Sequence, residues 1–287
     1  MNITIRPAVA ADIEVCARII YEAFKGITDR HGFPPDFPTV EAATELASAF
    51  INHPSIFGAV AESDGRIVGS NFLDERDPIR GVGPITVDPR VQQRGIGRQL
   101  MQAVLERGQG SVGIRLLQHS FNVLSVSLYA SLGFDPKEPI LLMQGKPKST
   151  PPAGFEVRRL TKQDLDSCAA LCAKTHGFDR ANELRDALEF FTPFVALRKG
   201  RVTAYASTAT FWPLNHGVAE TEEDMKALLL GAGAVTKEPL SFLLPVRQAS
   251  FFRWCLSEGL RVVKPLTLMA MGEYQEPKGC YFPSVLY

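Results

Sequence analysis

The chain has 287 residues, of which 45% are hydrophobic and 22% charged; 31 basic and 31 acidic side chains leave it with no formal net charge. That length exceeds the roughly 100–200 residues of one domain and predicts two, each able to bury a core without metals or disulfides. Balanced charge excludes a global field that draws the chain to nucleic acid or anionic lipid, and no apolar run approaches the ~20 residues that span a bilayer, so neither partner is expected and a cytoplasmic location is.

In chain order, the opening Met-Asn-Ile-Thr-Ile-Arg-Pro has no apolar signal core and predicts a strand. Ile13, Cys16, Ala17 and Ile20 then fall at i, i+3, i+4 and i+7, one face of an amphipathic helix. Residues 21–38, YEAFKGITDRHGFPPDFP, read as an aromatic loop rich in proline and glycine, in which His31 has no visible partner. Asp64-Gly65 marks a hairpin turn, and Asp74, Glu75 and Asp77 crowd a loop before the apolar strand Val82 to Val87. That strand ends at Asp88-Pro89, after which Ile96, Leu100, Met101, Val104 and Leu105 share one helical face. A strand from Ile114 to Gln118 follows, with His119 at its end, and then FNVLSVSLYASLGF.

A boundary falls at GKPKSTPPAG, residues 145–154, whose composition suits an exposed linker. The domains expected are therefore 1–147 and 155–287, joined by 148–154. Beyond the linker the opening pattern recurs. At an offset of 152, Arg6, Asp12 and Cys16 match Arg158, Asp164 and Cys168. Gly65-Arg66-Ile67 then matches Gly200-Arg201-Val202, and Pro139, Leu142 and Met143 match Pro265, Leu268 and Met269. Three blocks in the same order imply two copies of one α/β unit. The five cysteines, Cys16, Cys168, Cys172, Cys255 and Cys280, are scattered, form no C-x-x-C pair and read as buried reduced thiols, with no metal expected.

The loop QQRGIG lies where the strand passes into a helix N-terminus. There the first amides lack helical partners and the macrodipole is positive, while Gly95 and Gly97 let a phosphate approach the backbone. Arg90, Arg94 and Arg98 add positive charge, and the physical reading is a pyrophosphate cradle. A P-loop would need Lys and Ser or Thr where Arg98-Gln99 stand, and a dinucleotide fingerprint would need Gly or Ala where Leu100 stands. In the second copy the same place, VAETEEDMKALLLG at 218–231, has neither glycine pair nor arginine, and its Thr221-Glu222-Glu223-Asp224 reads as a capping box.

These motifs resemble those of the GNAT superfamily of N-acetyltransferases. Gln92-x-x-Gly95-x-Gly97 matches its acyl-CoA motif, and Asn122, Leu128-Tyr129 and Gly133-Phe134 match its later signature, so the resemblance covers about residues 3–145. It implies a mixed-sheet α/β GNAT fold, here as two tandem domains with a degenerate second copy. It further implies that Val87, Gln92, Gln93, Arg94, Gly95, Ile96, Gly97, Arg98 and Asn122 hold acetyl-CoA. Tyr129 is implied as the acid that protonates the departing thiolate, and a phenol near pKa ~10 is protonated at neutral pH. The base is open, with Glu75 and His119 as candidates. The loop at residues 21–38 falls where the family lines its acceptor site. The acceptor, a small amine or a peptide, stays open, as do the oligomeric state and a non-catalytic acyl-CoA-binding or interaction role. The final run EPKGCYFPSVLY is expected to be an ordinary last strand, with packing on the first copy or shaping of its acceptor cleft as the alternative.

Overall fold

The computed structural model describes residues 3–287; Met1 and Asn2, part of the expected first strand, lie outside them. The first half runs β1 (Ile3–Pro7), α1 (Ile13–His31), α2 (Val40–Asn52), β2 (Ile56–Ser63), β3 (Arg66–Asp74), β4 (Ile79–Val82), β5 (Thr86–Val87), α3 (Ile96–Arg107), β6 (Gly113–His119), α4 (Val123–Ser131) and β7 (Asp135–Gly145). The second half repeats this order with β8 (Phe155–Arg159), α5 (Leu165–His176), α6 (Ala181–Phe190), β9 (Phe194–Arg198), β10 (Arg201–Ala206) and β11 (Gly217–Ala219). It continues with α7 (Glu222–Val235), β12 (Leu240–Pro245), α8 (Ala249–Ser257), β13 (Arg261–Gly272) and β14 (Cys280–Phe282).

The repeated residues do the same work in both halves. Arg6 Nη1 donates to Asp12 Oδ2 at 2.7 Å, and Arg158 Nη1 to Asp164 Oδ2 at 2.8 Å; each carboxylate also accepts from the amide three residues before it, at Val9 or Thr161. This pair ties the first strand to the start of the first helix. Both β2–β3 and β9–β10 hairpins turn on a left-handed pair, with φ of 49° at Asp64 and 54° at Lys199. All five cysteines are free and buried, as their apolar neighbours imply.

Three departures from the expected layout shape the site. Residues 21–31, read as loop, complete α1, which ends where Gly32 turns left-handed at φ 71°. The apolar run Val82–Val87 does not form one strand: Pro84 offers no amide to a ladder, and β4 and β5 are separate pieces. The halves also exchange strands. β13 lies between β6 and β7, pairing Leu266 with His119 on one side and with Ile140 on the other, while β7 in turn pairs with β12. One sheet thus runs β1-β2-β3-β4-β6-β13-β7-β12, with β5 beside β3, and a second runs β14-β11-β10-β9-β8. In the first half α1 and α2 bury Ala17, Ile20, Ala47 and Phe50 on one face of the sheet, and α3 and α4 bury Leu100, Met101, Val104 and Tyr129 on the other. Polar contacts join the halves as well: Asp77 accepts from the Asn182 and Glu183 amides at 3.2 and 3.1 Å, filling the free N-terminus of α6. The linker is exposed on its outer side and anchored on its inner one, where Glu258 accepts from the Lys148 and Ser149 amides.

The final run is a strand for only three residues. β14 pairs with β11, and the chain then crosses to the first half, where Leu286 is buried among the α1–α2 core. The fit is tight: a Cβ on Gly81 would lie 2.3 Å from the Leu286 carbonyl oxygen.

Candidate functional site

The split strand opens the sheet. β4 pairs with β6 from Ile79/Gly113 to Gly81/Arg115, and there the ladder stops. β5 pairs only with β3, and Leu116 to His119 pair only with β13, so the two strands diverge. A cavity of about 480 Å³ fills the opening, a size within the range of ligand sites. It runs from the start of α3 to the loop between α1 and α2.

At one end stand Gln92, Gln93, Gly95, Ile96, Gly97 and Arg98. Gly95 is the N-cap of α3 at φ 81°, with no side-chain cap and no acidic residue in the first turn. Gln99 is the first amide bonded back, to the Gly95 carbonyl at 3.2 Å, and among the described residues the amides of Gln92 to Arg98 have no backbone partner. A run of free amides at the positive end of a helix suits an anion. The left-handed φ demands glycine at 95, whereas a Cβ at Gly97 would meet only ordinary contacts, Leu128 Cδ2 at 3.5 Å being the nearest. Gln92 Nε2 donates to the Val87 carbonyl at 3.0 Å, tying the loop to β5. Of the three arginines, only Arg98 lines the cavity, donating to Ser131 Oγ at 2.7 Å. Arg90 is an exposed partner of Asp88, and Arg94 is not among the lining residues.

Midway, Asn122 and Tyr129 line the wall. Asn122 caps α4, accepting from the Ser125 amide at 3.4 Å. Tyr129 is 5% exposed, and burial pushes its phenol up to about 12. It keeps its proton throughout the neutral range.

The other end joins His119, a base candidate, to Asp36 and Lys264, which the sequence did not single out. His119 Nε2 lies 3.3 Å from Asp36 Oδ1, and Lys264 Nζ donates to the same oxygen at 2.8 Å and to the Pro34 carbonyl at 2.7 Å. The Asp36 and Lys264 side chains are 3% and 1% exposed. Burial works to raise the Asp36 carboxyl, but the His119 bond and the charge of Lys264 outweigh it and hold it below the usual range. His119 is fixed by rings, stacked on Phe121 at 4.8 Å and edge-on to Phe24 at 5.9 Å. Phe121 also meets His31 at 5.2 Å, so His31 has a partner that its sequence context did not reveal. Lys264 arrives from the second half on the exchanged strand. Its one legible signal was a lone charge in the run VVKPLTLMA.

Of the base candidates, then, only His119 is brought to the cavity. Glu75 is paired with Arg107 at 2.9 Å, Asp74 with Arg76 at 2.6 Å, and Asp77 caps α6; none of the three lines the opening.

The second half differs at the corresponding place. Thr221 accepts from the Asp224 amide at the start of α7, and Glu222, Glu223 and Asp224 occupy its first turn. β14 pairs with β11. Gln248, which stands where Asn122 does, donates to the Tyr281 carbonyl at 2.6 Å and accepts from its amide at 3.2 Å.

Comparison with known proteins agrees with this geometry. The family model described as Acetyltransferase (GNAT) family matches residues 20–134. N-alpha-acetyltransferase RimI of Mycobacterium tuberculosis (strain ATCC 25618 / H37Rv) is 32% identical over 136 residues, covering 46% of this chain and 78% of that protein. Mycothiol acetyltransferase of Nocardia farcinica (strain IFM 10152) is 31% identical over 105 residues; the match covers 33% of this chain and spans only about a third, 34%, of the relative's length. In fold, a candidate acetyltransferase from Pyrococcus horikoshii superposes with a TM-score of 0.78 at 18% identity, over 99% of this chain and 94% of that one. A tandem GNAT protein from the clavulanic acid biosynthesis pathway does so with a TM-score of 0.60 at 14% identity, over 96% and 100%. No helix among the described residues is long and apolar enough to cross a membrane. With an open strand pair beside a glycine-started helix, and a relative 32% identical of which it covers 78%, the chain belongs to the GNAT acetyltransferase family.

Proposed function

We propose that the chain transfers an acetyl group from acetyl-CoA to a primary amine, at one site whose cofactor end is built on residues 1–147. The observation that carries this reading is the cavity that joins an uncapped helix start to a buried phenol and an Asp-held histidine. The amides of Gln93 to Arg98 would hold the pyrophosphate, Val87 and Asn122 the amide linkers, and Arg98 a further phosphate charge. Acetyl-CoA supplies the thioester whose carbonyl carbon the amine attacks.

The chain's own residues move the protons. With His119 Nε2 turned to Asp36 Oδ1, Nδ1 is the nitrogen left to take a proton from the acceptor's ammonium. As the new C–N bond forms and the C–S bond breaks, Tyr129 gives its phenolic proton to the sulfur and regains one from the acceptor nitrogen through solvent or His119. Residues 155–287 are proposed as a degenerate copy reached through the linker 148–154. Carboxylates take up its helix start, and β14 lies against β11 where the first half leaves an opening.

Tyr129→Phe tests the assignment. It is expected to lower kcat by 10–1,000-fold with acetyl-CoA affinity unchanged in calorimetry; wild-type turnover removes Tyr129 from the mechanism. The pH profile has a sign. Tyr129 acts while protonated, so its contribution is lost only as pH rises towards about 12. Asp36 acts while ionised, and its lowered pKa means its contribution is lost only as pH falls below the ordinary carboxylate range. Neither group gives a limb in kcat/KM between about pH 5 and 10. A Tyr129-dependent fall inside that window contradicts the assignment.

A further inference from the structure

The cavity wall beside His119 carries an unpartnered hydrogen-bond acceptor. Asp36 Oδ1 receives Lys264, with His119 beside it, while Asp36 Oδ2 is buried and has no hydrogen-bond partner. A buried, ionised carboxylate oxygen is costly to leave bare, and Asp36 lines a ligand-sized cavity. What satisfies it must bring hydrogen-bond donors, as an ammonium does.

The rest of the lining narrows the donor. Arg30, Asp36, Arg98 and His119 are the charged or imidazole side chains around the cavity, so Asp36 is its sole carboxylate. Arg98 belongs to the opposite end, and exposed Arg30 adds a like charge beside an incoming cation. A polyamine or aminoglycoside would bring further ammonium groups with no carboxylate to meet them. The surfaces around Asp36 are apolar instead. Phe24 and Phe37 meet edge to face at 5.5 Å, and Phe50 joins them in the lining. Trp212, Pro213 and Val285 come from the second half, and the Val285 amide donates to the Pro213 carbonyl at 2.8 Å, joining the two segments. These segments bound the cavity on the acceptor side, and its 480 Å³ must hold the acetyl end of the donor as well. That leaves room for a small molecule.

We infer that this end of the cavity is an acceptor subsite for a small primary amine with one positive charge and an apolar, aromatic-sized body. Its ammonium bonds Asp36 Oδ2, and its body lies among Phe24, Phe37 and Trp212. The second half supplies both the wall and Lys264, which keeps Asp36 charged and turned into place. The inference rests on the acetyl-transfer reading for its chemistry, since the bound ammonium then gives its proton to His119 before attack.

Two measurements separate the subsite from that chemistry. Binding comes first: 2-phenylethylamine is titrated by calorimetry into the whole chain saturated with CoA. The double variant D36N/K264M removes both charges and leaves neither buried partner alone. Affinity is expected to fall at least about 10-fold in that variant, with CoA affinity and thermal midpoint close to wild type. No binding to the wild-type chain, or equal binding to the variant, overturns the subsite. Should the variant not fold, Phe24→Asp serves in its place: its new carboxylate would favour spermidine, and an unaltered preference for 2-phenylethylamine overturns the subsite.

Turnover comes second. At saturating acetyl-CoA, thiol release is compared for 2-phenylethylamine, spermidine and the tripeptide Phe-Ala-Ala. The expected order has 2-phenylethylamine at least about 10-fold ahead in kcat/KM. A lead for spermidine or for the tripeptide overturns the inference. If amine binding depends on Asp36 yet no amine releases thiol, the subsite stands and the acetyl-transfer reading fails.

Discussion

Residues 1–147 produced without the rest of the chain are expected to lack cooperative thermal unfolding, and co-production with residues 148–287 is expected to restore it. The reason lies in the exchanged strands. β6 owes the whole of one edge to β13, from Gly113/Gly272 to His119/Leu266. Leu266, Leu268, Met269, Leu286 and Tyr287 are each 3% exposed or less, and they complete cores that the first half shares. Burying a large apolar side chain contributes about 1.5–3 kcal/mol, so losing five removes an amount comparable to the about 5–15 kcal/mol that holds a typical domain folded. The bare edge of β6 would also invite pairing with other chains. The measurement is a thermal melt followed by circular dichroism, with solubility beside it. A first half that melts cooperatively at the wild-type midpoint contradicts the interdependence.

His119→Ala is expected to have the largest effect on chemistry. A positioned base contributes about 10²–10⁴-fold, and a loss in that range is expected in amine-dependent kcat. Acetyl-CoA affinity should be little changed, because His119 lies on the acceptor face with Phe24 and Asp36, away from the start of α3. His119→Gln, which fills more of the space between Phe24 and Phe121, should be nearly as slow if the loss is one of proton transfer. Steady-state rates and calorimetric affinity for both variants decide this. Turnover near wild type in either one removes His119 as the base. Loss of acetyl-CoA affinity in step with the rate would make it a structural residue.

The repeat was legible because it rests on local chemistry. An Arg–Asp pair six residues apart, a left-handed turn and an apolar helical stripe each declare themselves within a short window, and each does in the fold what its spacing implies. The start of α3 was legible for the same reason, since glycines and their neighbours in sequence define it. The strand exchange was not. β7 and β13 carry the same Pro, Leu and Met pattern, so either satisfies the apolar demands of its neighbour, and a strand's own sequence does not name its partner. The acceptor end was legible only in part as a consequence: its loop and His119 were singled out, but not the contacts that join them. Asp36 lay in a loop flagged for its aromatics, but its partners come from 83 and 228 positions further along the chain, His119 being one and Lys264 the other. Glu75 shows the reverse: close in sequence to the motif strand, it is held by Arg107 instead.

The account turns on one acyl-CoA site per chain, at the start of α3 and not at the start of α7. Titrating acetyl-CoA into the whole chain by calorimetry, beside Gly95→Val and Glu223→Gln variants, tests this most directly. One equivalent per chain is expected. Gly95→Val, which forces a β-branched residue to φ 81°, should weaken binding at least about 10-fold, while Glu223→Gln leaves it unchanged. Two equivalents per chain, or an isotherm that Gly95→Val leaves as it was, would contradict the assignment of the cradle.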